Sequence, residues 1–475
     1  MAETTQTDWC TLSFWKATAS LACVMLAAWL MNIVVFPLFD PIFTYARDIS
    51  QMAQVAVLVG VGVAATFRPK ALGKIPLNLL AVVALAVGAA VLTIALAVGN
   101  AVLLVVGSSL FAAGRGAVML AVSVAMASQL QGRAVALSVV IASVASFACQ
   151  AICWIVPTFV GLALYFLLPA VSYVLSRKNA KGVTQLALSG DAPADVAITR
   201  PSSFLPLMSR LFVCLFMFRV AFGFSLRYGE AAGVPVNVFF GIVPVAIAAI
   251  LAVLWDRFDA DLLAQISVLC VVAGFFSVPS SDGALHDVGN IFLNSGNSLF
   301  NMVAWMVIVS VGARNRAAAL AVAGWGTGTG AFGTIVGAAF GVGSNHLLEH
   351  YPTGVLYLSG VLLVLFVGYA LIGLKDFSFK ETINGIVPAV PDMKAESPED
   401  LFQTRCDAIA VEYHLTPRER EVFAMLARGR NREYIQEKLV VSRNTVKAHV
   451  RHVYEKLDIH SHQELIDLVE EGAQG

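Results

Sequence analysis

Between residues 17 and 374 the chain repeats one pattern: a run of about 20 predominantly apolar residues, then a short polar or glycine-containing break. A helix of that length crosses the hydrocarbon core of a bilayer, so each run reads as a membrane span. The pattern predicts helices at 17–39, 50–67, 76–98, 101–127, 134–156 and 159–176 and, after a polar interval, at 205–226, 234–255, 260–279, 288–312, 317–343 and 353–374. Past residue 400 the pattern changes. Apolar positions there recur at offsets of three and four among charged neighbours, the stripe of a helix packed on one face and wet on the other. The expectation is an all-α chain in two differently solvated parts, a polytopic bundle followed by a small helical domain.

Composition sharpens that division. The 475 residues are 58% hydrophobic and 13% charged, against about 45–50% apolar and about 25% charged in soluble domains. No Asp or Glu occurs between Asp48 and Asp191, whereas both signs crowd the chain after 400. Lys16, Arg68, Lys70, Lys74, Arg133, Arg177, Lys178, Lys181, Arg200, Arg257, Arg314, Arg316 and Lys375 fall on one set of alternate loops and ends, and only Arg47 and Arg227 on the other. Lys and Arg concentrate on the cytoplasmic side of a membrane, so both termini are expected in the cytoplasm. Glu3 and Asp8 precede Trp15 and Lys16 where a cleaved signal would be basic, so the first span is expected to remain as an anchor. The seven cysteines stand mostly within apolar runs without metal or redox spacing, which predicts packing roles, no metal and no cofactor.

The interval from Arg177 to Ser203 is rich in Ala, Gly, Ser and Pro and separates six spans from six. The expected organisation is a first membrane half at 1–176, a linker at 177–203, a second half at 204–375, a linker at 376–414 and a terminal domain at 415–475. This 6+6 layout resembles the major facilitator superfamily, whose halves enclose a cavity near the bilayer midplane. Between spans 2 and 3 the chain reads Phe67-Arg-Pro-Lys-Ala-Leu-Gly-Lys74, without the acid of that superfamily's Gly-x-x-x-Asp-Arg-type signature. The matching loop of the second half keeps Asp256-Arg257-Phe258-Asp259.

Two arginines stand where charge is expensive. Arg115 lies between Gly114 and Gly116 in span 4, and Arg219 lies within span 7. An ionisable side chain at such depth marks a functional site and calls for a partner. No acid sits at matching depth, since Glu230, Asp256, Asp259, Asp282, Asp287 and Glu349 fall in loops and Asp261 at a span end. A ligand carboxylate or phenolate would supply the missing charge; backbone carbonyls, cavity water or a lipid phosphate are the plainer partners. Span 10 adds Asn290, Asn294, Asn297 and Asn301 at offsets of 0, 4, 7 and 11, four amides on one helical face. That face is expected to point inward, as a polar cavity wall or as interhelical glue. The candidate ligand residues are Arg115, Arg219, Asn294 and Asn297. Phe212, Phe216, Phe222, Phe224, Phe292, Phe300 and Trp305 are candidates for stacking on an aromatic ligand. The glycines of span 11, from Gly324 through Gly330 to Gly333, Gly337 and Gly341, predict a close helix approach.

The terminal domain is patterned helix by helix. Thr416-Pro417-Arg418-Glu419 is a capping box with Pro at the first helical position, and Gly429 stops that helix. Asn431 caps a second helix at 432–439, Ser442 a third, and Ser461-x-x-Glu464 a fourth at 462–471. In the third, Val446, Val450, Val453 and Leu457 must face the core, which turns Asn444, Ala448 and Arg451, flanked by Arg443 and Lys447, to solvent. Arg430 to Lys456 holds seven Lys/Arg against three Glu, a basic focus suited to phosphate. These residues resemble the LuxR (NarL/FixJ-like) helix-turn-helix regulators of bacteria. The resemblance implies a third helix in the major groove of double-stranded DNA, contacts from Arg443, Asn444, Thr445, Lys447, Ala448 and Arg451, and homodimeric binding to paired half-sites. Tyr434, Gln436 and Asp458 depart from the family's usual Glu, Ala and Gly.

Together these features imply a non-enzyme. They describe a one-component transcriptional regulator of the bacterial inner membrane, whose transporter-like bundle senses an anionic or aromatic small molecule. The other reading they allow is a transporter with a fused DNA-binding domain.

Overall fold

The computed structural model describes residues 11–153, 156–189, 210–228, 260–277, 283–314, 316–375, 377–384, 406–407, 409–410, 412–439 and 441–471. The chain divides into two compact units, Met1–Pro391 and Asp392–Gly475. Among the described residues every regular element is a helix.

The first unit contains α1 (Leu12–Phe43), α2 (Ala46–Phe67), α3 (Leu77–Val98), α4 (Ala101–Gln129), α5 (Arg133–Cys153) and α6 (Thr158–Ser189), then α7 (Arg210–Tyr228), α8 (Ala260–Ser277), α9 (Gly283–Arg314), α10 (Ala319–His350), α11 (Pro352–Ile372) and the short α12 (Phe379–Asn384). Among the described residues 8 helices are long and apolar enough to cross a membrane. Helices α5, α7 and α11 stand at three further expected spans, while the expected span at 234–255 lies outside the described residues. In the first half α4 packs on α2, α3 and α6, and α1 on α5 and α6. In the second α7 packs on α10 and α8 on α9; the halves meet where α10 lies on α2 and α9 on α4.

The glycines of α10 explain two of those contacts. A Cβ added at Gly324 would stand 2.6 Å from the Cα of Gly62 on α2, and one at Gly337 would fall on the Val220 carbonyl oxygen of α7. Without side chains the backbones touch, and dispersion between them replaces the hydrophobic drive that lipid cannot supply. The predicted close approach is therefore made on both sides of α10.

Helices α1, α6, α9 and α10 run several residues past their expected bounds. Helix α1 carries a π turn at Met31–Val35 just ahead of Pro37, whose ring forbids a regular i→i−4 bond. Helix α6 runs to Ser189 instead of stopping at 176. Its extension is amphipathic: Ala180, Val183 and Ala187 are buried in a cluster with Leu72 and Val124, while Lys178 and Lys181 stay exposed. The hydropathy pattern marks where lipid ends, and the helix continues past it because one face still packs.

The second unit holds α13 (Pro417–Ala427), α14 (Arg432–Leu439), α15 (Arg443–Leu457) and α16 (His462–Glu471). Val422, Phe423, Leu426, Ile435, Val446, Val450, Val453, Leu457 and Leu465 form its core. Cys406, Ile409 and Ala410 join that core, so part of the expected 376–414 linker belongs to this unit, as α12 belongs to the first.

Candidate ligand cavity and DNA-binding face

The membrane unit holds a cavity of about 230 Å³ bordered by α1, α2, α4, α5, α6, α7, α9 and α10, and so by both halves. That is smaller than the roughly 300 Å³ at which pockets for drug-sized molecules begin. The two expected arginines share it. Arg115 is 8% exposed. It donates from Nη2 to Gln54 Oε1 at 3.0 Å and lies 5.4 Å from the Tyr165 ring centroid, while its Nε–H donates to nothing. Arg219, partly buried, donates from Nη1 to Asn297 Oδ1 at 3.3 Å and lies 5.0 Å from the Phe222 ring centroid. Each guanidinium is thus met by a neutral amide and an aromatic face, which soften the cost of burying it without cancelling its charge.

The four asparagines of α9 separate on inspection. Asn297 and Asn301 line the cavity together with Ser298, Thr327 and Thr334. Asn294 stands outside that lining, 1% exposed, donating to the Asn290 carbonyl of its own helix at 2.9 Å, with its Oδ1 accepting no bond. Of the aromatic candidates Phe222, Phe300 and Trp305 border the cavity, joined by Trp29 and Phe147. Phe212 and Phe224 are buried, and Phe292 is exposed.

One end of the cavity carries a charged cluster that hydropathy did not suggest. Arg47, Asp48 and Asn32 border it. Arg227 of α7 is ion-paired to Asp48 and reaches the Thr44 carbonyl. Arg47 donates to Asn32 Oδ1 at 3.3 Å and lies 3.9 Å from the centre of the Phe36 ring. Asn32 belongs to the π turn of α1, so that turn aims an amide at the site. Among the described residues the cavity lining then holds Arg47, Arg115 and Arg219 against Asp48, a net positive balance. No group of side chains among the described residues could hold a metal ion.

In the second unit the caps form as the pattern predicts. Thr416 and Glu419 make the reciprocal box, Asn431 accepts from the Tyr434 N–H at 2.9 Å, Ser442 from the Thr445 N–H at 3.2 Å, and Ser461 from the Glu464 N–H at 3.1 Å. Gly429 and Asp458 adopt left-handed conformations, φ 73° and 53°, at the ends of α13 and α15. Val446, Val450, Val453 and Leu457 are buried. That leaves Arg443, Asn444, Thr445, Lys447 and Arg451 exposed on one face of α15, with Ala448 half-buried beside them. Arg451 leans toward Glu455 at 3.5 Å, a surface pair worth little to stability.

Glu419 does more than cap. Its side chain, 7% exposed, also accepts from Lys456 Nζ at 2.7 Å, tying α13 to the end of α15. Burial alone would raise its pKa, but the Lys456 ammonium and the Thr416 donors overcome burial and hold it at about 2. The capping pattern predicts half of this arrangement; the lysine 37 residues on carries no local signal.

Residues 413–469 match the family described as bacterial regulatory proteins, luxR family. The C-terminal unit is a LuxR-type helix-turn-helix domain. Among solved structures, the proton:xylose symporter XylE bound to 6-bromo-6-deoxy-D-glucose is similar at 13% identity and a TM-score of 0.53, covering 78% of this chain and 98% of its own. The human organic anion transporter MFSD10 is similar at 11% identity and a TM-score of 0.51, covering 74% and 98%. Likeness at this identity concerns the fold alone: the membrane unit is folded like these transporters. No curated protein matches the chain.

Proposed function

We propose that the chain is a one-component regulator of the bacterial inner membrane with both termini in the cytoplasm. A small organic anion enters the bundle, bridges Arg115 and Arg219, and biases the conformations available to it; that bias sets how a homodimer of the LuxR-type domain grips promoter DNA. The observation that carries the reading is the pairing of opposites in one chain. Two arginines from different halves face one cavity, each bonded to an amide, and among the described residues the lining carboxylate, Asp48, is paired with Arg227 instead, while an exposed basic helix stands ready for phosphate. A ligand anion supplies the missing charge to the first, and DNA to the second. The loop bias of Lys and Arg supports cytoplasmic termini.

The test is a reporter strain screened against a panel of small organic acids. A compound that changes the reporter in the parent strain should lose its effect in Arg115→Ala and Arg219→Ala and be weakened in Asn297→Ala. A response that survives both arginine substitutions rejects the site.

A further inference from the structure

The helix α12 is the last described element of the membrane unit, and it is held at both ends. Asp261, at the start of α8, accepts from Ser378 Oγ at 2.6 Å, from the Phe379 N–H at 2.5 Å and from the Lys380 N–H at 3.4 Å. Arg314, at the end of α9, donates to the Thr382 carbonyl. Between these anchors Phe379 is 3% exposed. Its ring stands edge-on to Phe300 at 6.0 Å and to Phe377 at 4.9 Å. Phe300 in turn stacks on Phe218 at 3.7 Å, the residue before Arg219, and it borders the cavity. One aromatic ring is therefore shared between the cavity wall and the seat of α12.

A helix of 6 residues is far below the length that persists in water without tertiary support. Its alternatives are docked on this seat or unwound. We propose that α12 is a latch that passes the state of the cavity to the DNA-binding unit. A ligand that moves Phe300 loosens or tightens the seat of Phe379, and the docked or released helix sets the freedom of the chain that follows it. Coupling of this kind needs an element with two arrangements that both sites bias, and α12 touches the cavity wall directly. The proposal rests on the reading of the bundle as a sensor and adds the part that transmits.

The experiment uses the full chain in lipid nanodiscs with no ligand. It reads amide hydrogen exchange at Phe379 to Thr382 and affinity for a random-sequence duplex at low ionic strength. Phe300→Ala leaves every hydrogen bond of α12 in place and should raise exchange there about tenfold, as local opening becomes easier; Asp261→Asn should do the same by releasing the first turn. Both should shift duplex affinity in the same direction. Phe14→Ala, an equally buried ring of α1 outside the cavity lining, should change neither. If Phe300→Ala does not fold, Phe300→Leu keeps an apolar side chain of intermediate size and removes the ring, with the same expectation. Unchanged exchange in the Phe300 variants, or released α12 with unchanged duplex affinity, overturns the latch. Since no compound is added, a latch that works while every organic acid fails in the reporter screen would sink the sensor reading and leave the latch standing.

Discussion

The bundle and the DNA-binding unit treat a buried charge in opposite ways. The Glu419 carboxylate is buried with the Lys456 ammonium, the Thr416 N–H and the Thr416 hydroxyl arranged around it. Arg115 is buried with one amide oxygen and a ring face. A charge satisfied by its own protein belongs to stability, because removing it strands its partners. A charge left short of partners weakens the fold, and its persistence points to function. The same contrast separates α15, where positive charge is free to act because water solvates it, from α7, where Arg219 meets an amide and a ring but no paired carboxylate among the described residues.

Replacing Glu419 should give the largest effect. Glu419→Gln removes the charge that faces the Lys456 ammonium, which keeps its bond to the His414 carbonyl, and should cost the DNA-binding unit about 2 kcal/mol in urea denaturation. The pH dependence follows from the lowered pKa. The unfolded carboxyl titrates near 4.5 and the folded one near 2, so its stabilisation is complete above about pH 4.5 and disappears as the pH falls toward 2. Parent and variant should differ most at neutral pH and converge in acid; a variant as stable as the parent at pH 7 would erase the contrast drawn above.

Next in size is Lys447→Ala. It should weaken duplex binding about tenfold, roughly 1.4 kcal/mol, and flatten the slope of log affinity against log salt by about one unit. An unchanged slope in a salt titration removes Lys447 from the phosphate contacts.

The smallest effect has the opposite sign. Arg115→Met removes an incompletely partnered charge and should raise the thermal midpoint of the bundle by a few degrees, about 1 kcal/mol, while abolishing the response to the regulating compound. A lower midpoint would mean that Gln54 and Tyr165 satisfy the arginine after all, and the cavity would lose its claim to an anion.

The legibility of the chain followed the range of the interactions. Caps act over three or four residues, so Thr416, Asn431, Ser442 and Ser461 announced their helices, and Gly429 the end of α13. The core stripe of α15 and the small-residue face of α10 were legible for the same reason, a period written into one helix. Partners drawn from distant helices were not. Gln54 is 61 residues from Arg115 and Lys456 is 37 from Glu419, and neither stands out among its neighbours. Asn294 and Asn297 share a helical face in projection, yet only Asn297 reaches the cavity lining. A helical wheel gives the direction of a side chain, and the packing of the neighbouring helix decides where the open space lies. Asp261 was legible as a span end but not as the anchor of α12, because its partners lie more than a hundred residues away.

The central claim is that occupancy of the cavity, and not flux through it, controls the DNA-binding domain. The direct measurement takes the full chain in sealed vesicles with its cytoplasmic face outward. For a compound that regulates the reporter, it follows accumulation and duplex affinity together, in the parent and in Arg219→Ala. The account predicts saturable binding without accumulation, a shift in duplex affinity over the same concentration range, and loss of both in the variant. Accumulation against a gradient, or duplex affinity indifferent to a bound compound, would contradict it.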